Sequence, residues 1–117
     1  MSHSKAMASC IEACQECLVA CEHCINEHLD ELGLAECTRL CRDCAYLCAL
    51  CTSLMARDSR FHATACALCA EVCRACAEEC ERHDNEHCRA CAKACRRCAE
   101  ECERMAPAAP KGTAARR

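Results

Sequence analysis

Residues 10–24, CIEACQECLVACEHC, place a small apolar side chain at every third or fourth position. Alternating steps of three and four form the a/d seam of an α-helix, so one stripe of that helix is apolar along its whole length. The stripe consists of Cys10, Cys14, Cys17, Cys21 and Cys24. The rhythm returns in Cys37, Cys41, Cys44, Cys48 and Cys51, then in Cys66, Cys69, Cys73, Cys76 and Cys80, and last in Cys88, Cys91, Cys95, Cys98 and Cys102. Between the stripes lie mostly Ala, Glu, Arg and Leu, which favour helix. Breaks fall between the blocks. DELGL contains Gly33, RDSR offers Asp58 or Ser59 as an N-cap, and RHDNEH offers Asp84 or Asn85. The pattern predicts helices over roughly 4–31, 34–56, 59–83 and 85–106. Short turns make neighbours antiparallel, so the expected fold is all-α: an up-down-up-down four-helix bundle with a cysteine-lined core. Residues 1–106 read as one domain. Pro107 stops the last helix, and PAAPKGTAARR, 107–117, reads as a disordered tail.

A second tier of apolar residues lies off the seam. Ile11, Leu18, Ile25 and Leu32 repeat every seven residues beside the first stripe, and Leu40, Leu47 and Leu54 beside the second. Both sets are expected to flank the core. Tyr46, Leu50, Phe61 and Leu68 sit further round their helices, where a monomer would face water; together they suggest a protein–protein face.

Composition changes the picture in one respect: the core has to be built from thiols. Residues 85–106 contain no Leu, Ile, Val or Phe, and Met105 is their only large apolar side chain. A buried free cysteine often serves as a small hydrophobe. That explains one or two, not twenty of twenty on inward stripes, because leucine would bury more apolar surface at each. So high a cysteine content in a short chain usually marks a secreted disulfide scaffold. However, the opening MSHSKAMASC has no apolar signal region, which points to a reducing cytoplasm. Net charge is −3, too slight to imply nucleic acid. Lys111, Arg116 and Arg117 all lie in the tail, so the body is the more acidic part.

The chemistry that needs such a ladder is metal binding. Helical neighbours three and four apart have Cβ atoms about 5–6 Å apart, whereas a disulfide wants roughly 3.5–4.5 Å. A metal bonded to both sulfurs spans the gap. Eight C-x-x-C and eight C-x-x-x-C pairs, all in mid-helix, fit this better than redox chemistry, which needs an exposed helix N-terminus to activate a thiol. Soft thiolates suit Cu(I), Zn(II) and iron–sulfur clusters. Five Zn(II) ions on four thiolates each would leave about −10 buried, at several kcal/mol per uncompensated charge. One Cu(I) per thiolate is neutral. Iron–sulfur clusters usually sit in loops of distinct spacing, which this chain lacks. Without metal, burial should keep the thiols protonated, and loading should release protons.

The complete ladder, with the string HDNEHCRACAKACRRCAEEC at 83–102, resembles the bacterial cytosolic copper storage proteins. The resemblance covers roughly residues 7–105. It implies Cu(I) held along the bundle axis by cysteine pairs of one helix and bridged between helices, a cytosolic location, and a homotetramer. Extending each stripe by one step finds two different ends. Met7, Met55, His62 and Met105 continue the seams at one end; His28, Leu34, His83 and either Asp84 or His87 continue them at the other. The histidine end, with Asp84, is the expected way in for copper, since imidazole passes soft ions on. The methionine end, Met7, Met55 and Met105 with His62, is expected to be either an apolar plug or a set of auxiliary copper ligands, since thioethers also bind Cu(I). His3 and His23 are expected to face solvent. Two alternatives remain open: a zinc or cadmium thiolate buffer, and a structural thiol-redox module. Nothing groups a nucleophile, base and oxyanion site, so no enzyme is expected.

Overall fold

Ser4 begins the first helix by accepting a hydrogen bond from the Met7 backbone N–H at 3.0 Å, which satisfies one of the orphan donors of the first turn. The computed structural model, described here over residues 3–107, contains four helices: α1 (Lys5–Glu27), α2 (Ala35–Ala56), α3 (His62–Cys80) and α4 (Glu86–Met105). Each packs on two neighbours, α1 on α2 and α4, and α3 on α2 and α4. The diagonal pairs make no close backbone approach. Cysteines that step up α1 meet cysteines that step down α4: Cys10 faces Cys102, Cys17 faces Cys95 and Cys21 faces Cys91. On the other side Cys37, Cys44 and Cys48 face Cys80, Cys73 and Cys69. The result is the antiparallel up-down-up-down bundle. Among the described residues, no helix is long and apolar enough to cross a membrane.

The helix ends differ from the sequence expectation, each for a local reason. α1 stops at Glu27, short of residue 31, and His28 caps it. Gly33, at φ 90°, lies in the turn before α2 and does not itself end α1; that left-handed conformation costs glycine little. Asp58 also takes positive φ, 54°, just beyond α2. Neither Asp58 nor Ser59 caps α3, whose cap position is Phe61 without a side-chain bond. Instead Ser59 Oγ accepts from the Phe61 N–H at 3.1 Å. At α4 the expected choice between Asp84 and Asn85 falls to Asn85, which accepts from the Cys88 N–H at 2.7 Å. Ala106 is extended, as the residue before a proline should be. The expected disordered tail lies outside the described residues except for Pro107.

All twenty cysteines are buried and unbridged. The rest of the core is small: Ala13, Ala45, Ala70, Ala77, Ala92 and Ala99, with Met7 and Met55 at one end. Leu54 is half-buried without joining it, whereas Ile11, Leu18, Ile25, Leu40 and Leu47 pack against it as expected. Leu32 does not. It is 99% exposed, because α1 ends before the seven-residue repeat reaches it. Charged residues stitch the outside. Arg97 reaches from α4 to Glu12 and Glu16 of α1, at 2.8 and 2.5 Å, and Arg74 of α3 pairs with Glu103 of α4. Such exposed pairs add little stability each but fix which faces meet.

Candidate metal centre

The antiparallel register sorts the stripes into five tiers of four thiols, one from each helix. From the methionine end they are Cys10, Cys51, Cys66 and Cys102; Cys14, Cys48, Cys69 and Cys98; and Cys17, Cys44, Cys73 and Cys95. Cys21, Cys41, Cys76 and Cys91 follow, then Cys24, Cys37, Cys80 and Cys88. The closest sulfur pairs within and between tiers lie between 3.4 and 4.0 Å apart. Cys44, for example, is 3.4 Å from Cys73, 3.6 Å from Cys17 and 3.9 Å from Cys95. Tiers are linked by Cys14 to Cys102, Cys91 to Cys95 and Cys98 to Cys102.

This spacing is what a metal ion needs. Metal–sulfur bonds of about 2.3 Å set sulfurs a little under 4 Å apart around a three- or four-coordinate ion. Several quartets have every sulfur within 4.8 Å of the others, among them Cys17, Cys21, Cys44 and Cys95, and Cys24, Cys41, Cys80 and Cys91. Quartets of this kind mix tiers, so the sites overlap into one continuous column. Distance alone suits copper and zinc equally. Charge separates them: among the described residues the only buried polar or charged side chain is His28. Among the described residues no Lys or Arg is buried in the column to offset an excess of thiolate.

The expectation that burial keeps every thiol protonated holds only in part. Burial leads in pushing Cys88 up. Cys14 is instead pulled down to about 6, first by a hydrogen bond with Cys10 and then with Cys102. Cys37 falls to about 5 through Cys41 and then Cys80. In a crowded thiol column, S–H donors stabilise the first thiolate among them.

The two ends of the column differ as the stripes predicted. At one, Met55 is fully buried, Met7 nearly so, and Met105 packs half-buried against the same cluster. His62 is half-buried, with its Nδ1 2.8 Å from the Ser59 carbonyl, and His3 Nε2 lies 3.1 Å from the Ala56 carbonyl. At the other end His28 is 5% exposed and its Nε2 lies 3.5 Å from Cys88 Sγ. Its ring centroid is 5.0 Å from that of His87, whose Nε2 is buried without a hydrogen-bond partner. Cys24 Sγ donates to the His87 carbonyl at 3.3 Å. His83 and Asp84 have other side-chain partners: His83 Nε2 lies 3.0 Å from Glu79 Oε2, and exposed Asp84 accepts from Arg89 at 2.6 Å. Leu34 is half-buried before α2. His23 is exposed, its ring edge-on to His87 at 6.3 Å. The cluster nearest the last tier is therefore His28 and His87, with Thr38 behind His28. The cysteine spacing gave no sign of Thr38.

Burial, and then the neighbouring His87 and His83, hold the His28 pKa below 6.5. Its charged form is disfavoured in the fold, so its contribution to stability is present above 6.5 and lost as pH falls below it. Cys14 and Cys37, at about 6 and about 5 against 9.0 for a free thiol, act in the same direction. Their contribution, full above 9, is lost as pH falls through those values. Thermal melts of the reduced, metal-free protein, followed by circular dichroism, should show a lower midpoint at pH 5 than at pH 8. An unchanged or higher midpoint at pH 5 would contradict this.

Comparison with known proteins agrees with this geometry. The profile of the copper storage protein family, Csp, matches residues 3–107. A Cu(I)-bound copper storage protein, BsCsp3, is 49% identical, with a TM-score of 0.83 over 88% of this chain and 100% of that one. The apo form of copper storage protein 3 from Bacillus subtilis is 51% identical, with a TM-score of 0.81 over 86% of this chain and 98% of that one. A cytosolic copper storage protein from Streptomyces lividans, solved with five coppers, is 36% identical, with a TM-score of 0.83 over 91% and 96%. No curated protein sequence matches the chain. A family match across nearly the whole bundle, joined to a column of twenty buried thiols, makes this chain a member of the copper storage protein family.

Proposed function

We propose that the protein stores Cu(I), about one ion per cysteine, on the thiolates of all twenty cysteines of the column. The observation that carries this is the pairing of twenty buried, unbridged thiols with a core that holds no Lys or Arg. One Cu(I) per thiolate leaves such a core neutral, while tetrathiolate Zn(II) leaves about −2 at every site, costing several kcal/mol per uncompensated charge. Storage needs no catalysis, and the family is a storage family. In this reading the protein acts in the cytosol, the location named for the Streptomyces lividans relative. Copper enters at the His28 and His87 end, where nitrogen donors stand beside the last tier, and the Met7, Met55 and Met105 end is the apolar plug. His62, His83 and Asp84 have an auxiliary place around the two openings. The chains assemble as a homotetramer through Tyr46, Leu50, Phe61 and Leu68.

Anaerobic titration of the reduced protein with Cu(I) tests the reading directly. Loading is expected to continue to about twenty ions per chain, one per buried thiolate by charge neutrality, with protons released as ions bind. Saturation near five ions, with Zn(II) or Cd(II) preferred, would replace storage of copper by a zinc or cadmium buffer. Little uptake of any of them would leave a thiol-redox or structural module.

A further inference from the structure

The hydroxyl of Thr38 has one proton and two hydrogen-bonding neighbours, of which the carbonyl can only accept. Thr38 Oγ1 donates to the Leu34 carbonyl at 2.9 Å, one turn back along α2. The same oxygen lies 3.0 Å from His28 Nδ1. An oxygen that gives its proton to that carbonyl offers only lone pairs, so the geometry favours the ring with hydrogen on Nδ1. In the neutral ring Nε2 then keeps a free lone pair, 3.5 Å from Cys88 Sγ in the outermost tier. The opposite tautomer would point an N–H at the sulfur and leave nothing for a cation to bind. The bond crosses the α1–α2 turn, from the cap of α1 to the first turn of α2. It therefore fixes both the orientation and the tautomer of a ring that is almost wholly buried.

We propose that Thr38 is a positioning residue for copper loading: its hydroxyl locks His28 in the Nδ1–H form, so that the Nε2 lone pair receives the incoming ion and passes it to Cys88. The inference rests on the copper-storage reading and adds to it a residue outside the ligand set. In the transfer the Cu–Nε2 bond gives way to a Cu–Sγ bond, the Cys88 thiol proton goes to water, and copper stays Cu(I). The logic is that of a metal-binding histidine held through its other nitrogen, where loss of the outer partner typically costs 10–100-fold in affinity or activity.

Thr38→Val keeps the shape of the side chain and removes the hydroxyl; Thr38→Ser keeps the hydroxyl. Two-bond 1H–15N spectra of the metal-free protein read the His28 tautomer. They should show Nδ1–H in the wild type and Thr38→Ser, and a shift toward Nε2–H in Thr38→Val. Stopped-flow transfer from a coloured Cu(I) chelate should be about tenfold slower in Thr38→Val, within the range expected for lost outer partners. It should be near wild type in Thr38→Ser, with the same final ion count in all three. An Nε2–H ring in the wild type overturns the proposal. So does a Thr38→Val chain that loads at the wild-type rate, or one that loses copper capacity, which would mark Thr38 as merely structural. A wild-type chain that takes up little copper would sink the storage reading instead, while the tautomer, read without metal, still decides the lock.

Discussion

Replacing Cys21, Cys41, Cys76 and Cys91 together with alanine should cut the rapidly loaded copper from about twenty ions per chain to about four, at one ion per thiolate. These four thiols form one tier, second from the histidine end. The helix rise puts successive tiers about 5 Å apart, so deleting one opens a gap of about 10 Å in the column. Within the native column Cys91 lies 3.9 Å from Cys95 in the next tier, close enough for an ion to be bound by both before it leaves either. Across the gap it would have to leave all sulfur, and a soft cation in an apolar bundle core has no other donor. If copper enters past His28 and His87, only the outermost tier fills quickly and the twelve or so thiols beyond the gap fill slowly, again at one ion each. Removing Cys14, Cys48, Cys69 and Cys98 instead, the tier second from the methionine end, should leave a fast phase of about twelve ions on the same count. A reversed order, about twelve for the first variant and about four for the second, would move the mouth to the Met7, Met55 and Met105 end. Full fast loading in both would show that copper enters through the sides. Circular dichroism of each metal-free variant verifies that the bundle survives the lost sulfurs.

The second large effect is on assembly. Tyr46, Leu50, Phe61 and Leu68 are each between 46% and 70% exposed, and all four lie on the α2–α3 side of the bundle. The register that sets Cys48 against Cys69 brings Leu50 and Leu68 to nearly the same level of the two helices. Val19, Leu29 and Leu32 are exposed elsewhere on the chain, but an apolar group shared by two adjacent helices is suited to a closed, symmetric contact with its own copy. Light scattering should give the mass of four chains for the wild type. Glutamate at all four positions would bury like charges against each other at every interface, and is expected to leave monomers. Their copper capacity should not change, because all twenty cysteines are buried within one chain. A wild-type monomer at micromolar concentration, or a quadruple variant that stays tetrameric, would remove these residues from the interface.

How the sequence led to each of these points differs from residue to residue. The thiol stripes could be read directly, because helix periodicity is local: Cys10 and Cys14 share a face whatever the rest of the chain does. The contrast between the methionine and histidine ends followed from the same extrapolation. Leu32 shows where that local rule fails. Its seven-residue spacing from Ile25 counts only while the helix continues, and α1 ends at Glu27. His83 and Asp84 were similarly placed at the mouth by spacing, yet Glu79 and Arg89 compete for their side chains. Such short-range polar competition leaves no periodic trace.

The amino-acid sequence by itself determined that this protein would be four antiparallel helices with every sulfur turned inward, since α4 has no large apolar side chain but Met105 and must pack through its cysteines and alanines. Only the tertiary structure decided which four cysteines share a tier, that Cys14 and Cys37 yield protons more readily than Cys88, and that Thr38 reaches His28. Each of these depends on the register between helices, which is set by packing and turn geometry summed over the whole bundle and not by the period of any one stripe.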